Sequence, residues 1–313
     1  MDPVLYKSLA PKTVQQYRRE GGEFVVYLDY HGVAPELAME WDDLLVEYKN
    51  GVDLPEGMSA PTRSKFEKLL ASVEKILPHF KGELCLSHAI LNAWKVAFAP
   101  VHTVPMVPRW GVVVCDGLLR HGHPRAAGVL YLQFMHGLRP GEAFGLTPMA
   151  LVLPEESRST MGKGVIILGM KKGTKAGRQQ TVLVDDPLSL ALLRAFRQTV
   201  ASSDLLSDIR SLTGLSSLMR RAVLDRNLPM PGWTPHSGRA GYATDAYLRG
   251  VTLARIAEIC RWQSIKTLRI YLDAASATAS AVSRTLEQHN WVADRCAEEF
   301  PGMILGGLYQ LRR

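Results

Sequence analysis

The chain has 313 residues, 47% hydrophobic and 21% charged. That balance excludes a low-complexity or disordered chain and fits one large domain or two ordinary ones. The formal charge of +7 makes a polyanionic partner the natural expectation. Four scattered cysteines (Cys85, Cys115, Cys260, Cys296) lack metal-ligand spacing, so they read as reduced, mostly buried thiols of an intracellular protein, with no metal and no cofactor expected. No signal peptide opens the sequence, and no apolar run approaches the roughly 18 residues of a membrane span, so no membrane partner is expected.

Residues 1–104 read as a helical bundle. The first helix begins at Thr13, after Pro11, with Val14, Tyr17, Phe24, Val25 and Leu28 on its apolar side and Gly21-Gly22 as an interruption. A second starts near Trp41, turns Leu44, Leu45 and Tyr48 inward and stops at Asn50-Gly51. A third, 62–77, buries Phe66, Leu69, Leu70, Val73, Ile76 and Leu77 and carries Arg63, Lys65, Lys68 and Lys75 on its other face. A fourth runs about 87–98. Pro100, Pro105 and Pro108 mark a linker, so the second domain is taken as 105–313 with a C-terminal helical tail.

Two helices follow, near 110–120 and 124–136. The second leads into Gly137-Leu138-Arg139-Pro140-Gly141-Glu142, where Pro140 suits the first turn of a helix and Glu142 lies one turn on from Arg139. Apolar, β-branched runs at 150–153, 165–170 and 181–184 predict a small antiparallel sheet. The turn between the last two carries Lys171, Lys172 and Lys175. Helices are then expected at 187–201 and 204–227, the latter ending in Arg220, Arg221 and Arg226.

The densest chemistry lies in 236–271. His236 and Arg239 precede a helix from Tyr242 to Arg249 that Gly250 ends. Thr252 caps the next helix, with Leu253, Ile256, Ala257 and Cys260 at helical spacing, and Ser264 offers a cap for a short helix through Tyr271. Another helix is expected at 276–291. The tail brings Trp291, Val292, Phe300, Met303, Ile304, Leu305 and Leu308 to bury.

Taken singly, these residues have ordinary readings: Tyr271 as a core or rim tyrosine, His236 as a turn residue after Pro235, Trp262 as core. Together they suit phosphoryl transfer to a phenol. A phenol with a pKa near 10 is a weak nucleophile at neutral pH. Cations that stabilise the charge on the attacked phosphate make it useful. Arginine grips two phosphate oxygens and keeps its charge. Histidine moves a proton near neutrality, and an indole N–H is a fixed, uncharged donor.

The stretch resembles the C-terminal signature of the tyrosine recombinases, the phage-integrase family: His-x-x-Arg, then Gly-His or a Trp variant, then Tyr nine positions on. Here these are His236, Arg239, Trp262 and Tyr271, with Arg261 where the family usually has glycine. Gly137-Leu138-Arg139 followed by Glu142 resembles the family's first arginine motif. The resemblance implies a mainly α fold with a small antiparallel β-sheet, made of an N-terminal helical core-binding bundle and a tyrosine-recombinase catalytic domain. It implies that Tyr271 attacks a DNA phosphate to give a 3′-phosphotyrosine, with Arg139, Arg239, His236 and Trp262 on the phosphate and Glu142 in support. It also implies a hairpin lysine as general acid: Lys172 by the Lys-Gly-x-Lys pattern, with Lys175 and Lys171 as alternatives.

Double-stranded DNA is then the partner and a homotetramer on DNA the assembly, since family members often pass a C-terminal helix to a neighbour and head-to-tail contacts can close a ring. Strand exchange through a four-way junction would integrate or excise a mobile element. Arg220, Arg221, Arg226, Lys65 and Lys68 are the further candidates for DNA contact. Residues 1–105 carry 11 Lys/Arg against 14 Asp/Glu and the rest 26 against 16, so the cationic surface lies mostly in the C-terminal part. The expected location is the cytoplasm or nucleoid for a prokaryotic or viral source and the nucleus for a eukaryotic one. The alternatives are a type IB topoisomerase or telomere resolvase with the same site, or a domesticated DNA-binding relic without catalysis, against which the complete residue set argues.

Overall fold

The computed structural model describes residues 9, 11–98, 103–156, 162–169, 180–262 and 264–311. They fall into two compact units, one on either side of residues 99–102.

Among the described residues the first unit holds four α-helices: α1 (Pro11–His31), α2 (Ala38–Asn50), α3 (Arg63–Ile76) and α4 (Cys85–Ala97). Two of them end where local chemistry says they should. Thr62 caps α3 by accepting from Lys65 N, and Gly51 closes α2 at φ 74°. Asp42 does a similar job at a distance, since its buried carboxylate accepts from Leu86 N and Ser87 N (2.7 and 2.8 Å) at the start of α4. Phe24, Tyr27, Tyr48, Phe66 and Leu69 fill the core. Helix α1 runs unbroken through Gly21-Gly22, because packing of its buried face against α3 outweighs the weak helix propensity of the glycines. Val25, expected inward, is 50% exposed; the buried positions Phe24, Tyr27 and Leu28 put it on the far side.

The second unit holds α5 (Pro108–Arg120), α6 (Pro124–Met135), the single turn α7 (Pro140–Ala143), β1 (Leu151–Val152), β2 (Gly164–Gly169), β3 (Gln180–Val184), α8 (Pro187–Thr199), α9 (Leu212–Leu224), α10 (Ser237–Leu248), α11 (Leu253–Ile259), α12 (Ile265–Leu286) and α13 (Asn290–Gln310). The strands form an antiparallel sheet in the order β1-β2-β3, with Leu151 opposite Ile166 and Ile166 opposite Val182. Ile166, Val182 and Val184 face the core while Leu183 faces out, the alternation of a sheet covered on one side.

Three expectations change. Residues 204–211 are irregular, and α9 begins only where Ser211 accepts from Gly214 N. The two helices expected at 264–271 and 276–291 are one, α12, because the Ala/Ser/Thr run 274–281 contains neither glycine nor proline. Its hydroxyls, as in Ser276 Oγ to Leu272 O (2.7 Å), bond back within the helix. In the tail, Phe300, Ile304 and Leu308 of α13 enter the core formed by α5, α6 and α8, as expected. Trp291 is not part of that core and is 64% exposed.

Candidate active site

The site grows from the ends of four helices in the second unit. Helix α6 stops at Gly137, whose φ of 58° is left-handed and whose missing Cβ leaves room for Tyr242 and the Cys260 thiol; a Cβ there would lie 2.9 and 3.0 Å from them. That turn delivers Arg139 to the N-terminal edge of α7. Glu142 reaches back to accept from Arg139 N (2.8 Å) and from Arg139 Nη1 (2.7 Å).

Helix α10 is fixed from two sides. Gln133 donates to Pro235 O (2.7 Å), and Met106 N donates to Ser237 O (3.0 Å). His236 is exposed at the head of α10. Arg239, on its first turn, is only 7% exposed. Its Nη1 donates to Gly137 O (2.7 Å) and its Nη2 to Cys260 O. Burial, with the neighbouring Arg139 and Arg261 charges, lowers its pKa to about 10, so it stays protonated at neutral pH.

Helix α11 ends in a left-handed turn. Arg261 has φ 55°, Trp262 N donates to Ala257 O (2.8 Å) and Arg261 N to Glu258 O (3.0 Å). That is a helix stop in which glycine is the usual residue at the left-handed position, which gives a physical reason for the family's glycine. Arginine occupies it here. Its guanidinium donates to Glu142 Oε2 (2.6 Å) and to Ile259 O (3.0 Å), and its carbonyl accepts from Arg139 Nη2 (3.2 Å).

Beyond the turn, the Trp262 indole meets the Tyr271 ring edge to face, with centroids 4.9 Å apart at 66°. Both rings pack on Ala243, Ile256, Cys260, Leu268 and Leu272. Burial pushes the Tyr271 phenol up to about 12, and Arg239 pulls it the other way. Tyr271 is therefore a neutral phenol at pH 7, packed beside Trp262 and within the field of a buried guanidinium.

No protein-family profile matches the sequence, and no curated protein matches it. Solved structures do. XerH site-specific recombinase, bound to palindromic difH substrate in a post-cleavage complex, is similar at TM-score 0.50 and 15% identity, over 79% of this chain and 71% of that one. Its pre-cleavage complex with difH gives 0.48 and 14%, over 82% and 75%. XerA recombinase gives 0.43 and 16%, over 90% and 93%. The chain has the tyrosine-recombinase fold.

On this recombinase fold the other candidates fall in different places. Arg220 and Arg221 are exposed on α9. Arg226 is turned inward, where its Nη2 meets the buried carboxylate of Asp116, to which Arg120 Nε also donates (2.9 Å). In the first unit Lys65 pairs with Glu23 (3.1 Å), and Lys68 is half-buried on α3. Lys171, Lys172 and Lys175 lie outside the described residues. Among the described residues no group of three His, Cys, Asp or Glu side chains is placed to hold a metal ion, and no helix is long and apolar enough to cross a membrane. Sequence reasoning did not assign Arg261 to the site. The available signal was its departure from glycine at a helix end.

Proposed function

We propose that the protein is a site-specific DNA recombinase that cuts and rejoins duplex DNA through a phosphotyrosine. The observation that carries this reading is the buried Arg239, anchored to Gly137 O and Cys260 O, in the same cluster as Arg139 and the Trp262–Tyr271 ring pair. Two guanidiniums held by backbone carbonyls are preorganised, so they lose little freedom when a phosphate arrives.

In the proposed step Tyr271 Oη attacks the scissile phosphorus, a P–O bond to tyrosine forms, and the bond to the 5′ oxygen breaks. The phenol proton leaves through His236 or water. The 5′ oxygen takes a proton from a hairpin lysine, which is Lys172 by its sequence pattern, with Lys175 or Lys171 as alternatives. Arg139 and Arg239 neutralise charge on the non-bridging oxygens, and Trp262 supplies an N–H. The 3′-phosphotyrosine retains the energy of the diester, so a second 5′-hydroxyl can reverse the chemistry on a new strand. The active assembly is proposed to be a homotetramer on DNA, with Arg220, Arg221 and basic residues of the first unit, Lys68 among them, contacting the backbone.

The test uses a pool of random-sequence duplexes. Wild-type protein should give DNA-linked protein on a denaturing gel and Tyr271→Phe none, while both bind the recovered duplex. Undiminished adduct with Tyr271→Phe would sink the proposal. Relaxation of supercoiled plasmid without exchange between paired sites would make the enzyme a topoisomerase instead.

A further inference from the structure

We propose that Arg261 is a positioning residue of this site, which keeps Arg139 available to phosphate by supplying the counter-charge for Glu142. The inference rests on the recombinase reading.

Arg261 makes two kinds of contact with the Arg139 assembly. Through its side chain, Nη2 meets Glu142 Oε2 at 2.6 Å, while Arg139 Nη1 meets the other oxygen, Oε1, at 2.7 Å. Through its backbone, the Arg261 carbonyl accepts from Arg139 Nη2 at 3.2 Å. One carboxylate therefore bridges two guanidiniums, and the residue that supplies the second guanidinium also supplies a second hold on the first.

The charge count explains why this matters. The Glu142 side chain is only 6% exposed. A carboxylate so placed offsets the charge of Arg139 and draws its fork away from an incoming phosphate, and a second guanidinium on the same carboxylate weakens that hold. Arg139, Arg261 and Glu142 together carry one positive charge, to which the nearby Arg239 adds a second, and of the three Arg139, itself 36% exposed, is the one that reaches solvent.

Arg261 is not placed to bind the phosphate itself. Arg239 is as buried but donates to neutral carbonyls and keeps its charge for a phosphate, whereas the Arg261 guanidinium is ion-paired with Glu142, donates to Ile259 O and has its Nε buried without a partner. Nor does the backbone favour it, because φ 55° is a conformation where glycine is less strained. At such a position the guanidinium contact with Glu142 offsets a backbone strain that glycine would not carry.

The experiment compares wild type, Arg261→Gln, Arg261→Gly and Arg261→Lys on the duplex recovered from the wild-type protein's own covalent complexes. Single-turnover adduct formation, duplex affinity across a salt series and the thermal midpoint are measured for each. Glutamine keeps a hydrogen bond to Glu142 but removes the charge. Adduct formation should fall about tenfold or more in the Gln and Gly variants and recover to within about threefold in Lys, with affinity and its salt slope unchanged. In a Glu142→Gln background, where no carboxylate needs offsetting, Arg261→Gln should cost less than about threefold further.

Wild-type adduct together with an undiminished rate in Arg261→Gln overturns this inference and leaves the recombinase reading intact. A shallower salt slope with weaker binding also overturns it, by making Arg261 a phosphate ligand. Should Arg261→Gly unfold, Arg261→Gln still reads the charge. Absence of any wild-type adduct overturns the recombinase reading and this inference with it.

Discussion

Arg139 and Arg239 donate to consecutive backbone carbonyls: Nη2 of Arg139 to Arg261 O at 3.2 Å, and Nη2 of Arg239 to Cys260 O. One left-handed turn at the end of α11 thus sets both cations, and the next residue is Trp262. Arginines far apart in sequence share a frame because a helix stop offers carbonyls that no helical N–H uses.

The two arginines should respond differently to truncation. Arg239→Ala leaves Gly137 O and Cys260 O without their donor in a buried site and should cost about 3 kcal/mol of stability. Arg139→Ala leaves Glu142 paired with Arg261 and should cost about 1 kcal/mol or less. Both should lower adduct formation by about a hundredfold or more. Urea denaturation with single-turnover assays checks this. Equal losses of stability would contradict the assignment of Arg239 as the buried, structural cation.

The turn into the first arginine motif carries a pH dependence. His136 is buried, hydrogen-bonded to Ser189 Oγ at 2.9 Å, and burial lowers its pKa to about 4 against the opposing pull of Asp186 and Asp185. The folded pKa lies below the unfolded value, so between pH 6.5 and 4 the unfolded chain binds the proton more readily. Stability therefore falls as pH drops through that window, by up to about 3 kcal/mol. His136→Gln should flatten the loss between those values. Parallel pH–stability curves for the two proteins would remove His136 from the account.

The ring pair separates packing from hydrogen bonding. Trp262→Phe keeps an aromatic edge for Tyr271 and loses the N–H, so it should keep most of the stability while slowing adduct formation by about a hundredfold. Trp262→His should retain partial activity because it restores a donor. Trp262→Ala should lose both, with about 2 to 4 kcal/mol of stability for the lost packing. If Phe matches wild type in rate, the indole N–H takes no part in the chemistry.

How much of this was legible in the sequence depends on how local the cause is. Helices α2 and α3 were readable because Gly51 and Thr62 end or begin them by local chemistry. The set His236, Arg239, Trp262 and Tyr271 stood out in the sequence through its resemblance to the family signature. The irregular 204–211 segment was hidden because its composition permits a helix and tertiary contacts decide otherwise: Leu206 N donates to Leu146 O, and Asp208 accepts from Ala126 N. The inward face of α1 was misjudged at Val25 because partners on α2 and α3 choose the stripe. The place of Arg261 was hidden for both reasons at once. It needs a φ that sequence does not print and a carboxylate 119 positions away.

The most direct measurement is the chemical identity of the link to DNA. Wild-type protein is trapped on duplex DNA, the complex is digested with nuclease and trypsin, and the peptide spanning residues 270–284, released by cleavage after Arg269 and Arg284, is sequenced by mass spectrometry. The account predicts a nucleotide joined through its 3′-phosphate to Tyr271. A nucleotide on Tyr247 or on any other side chain, with Tyr271 unmodified, would contradict it.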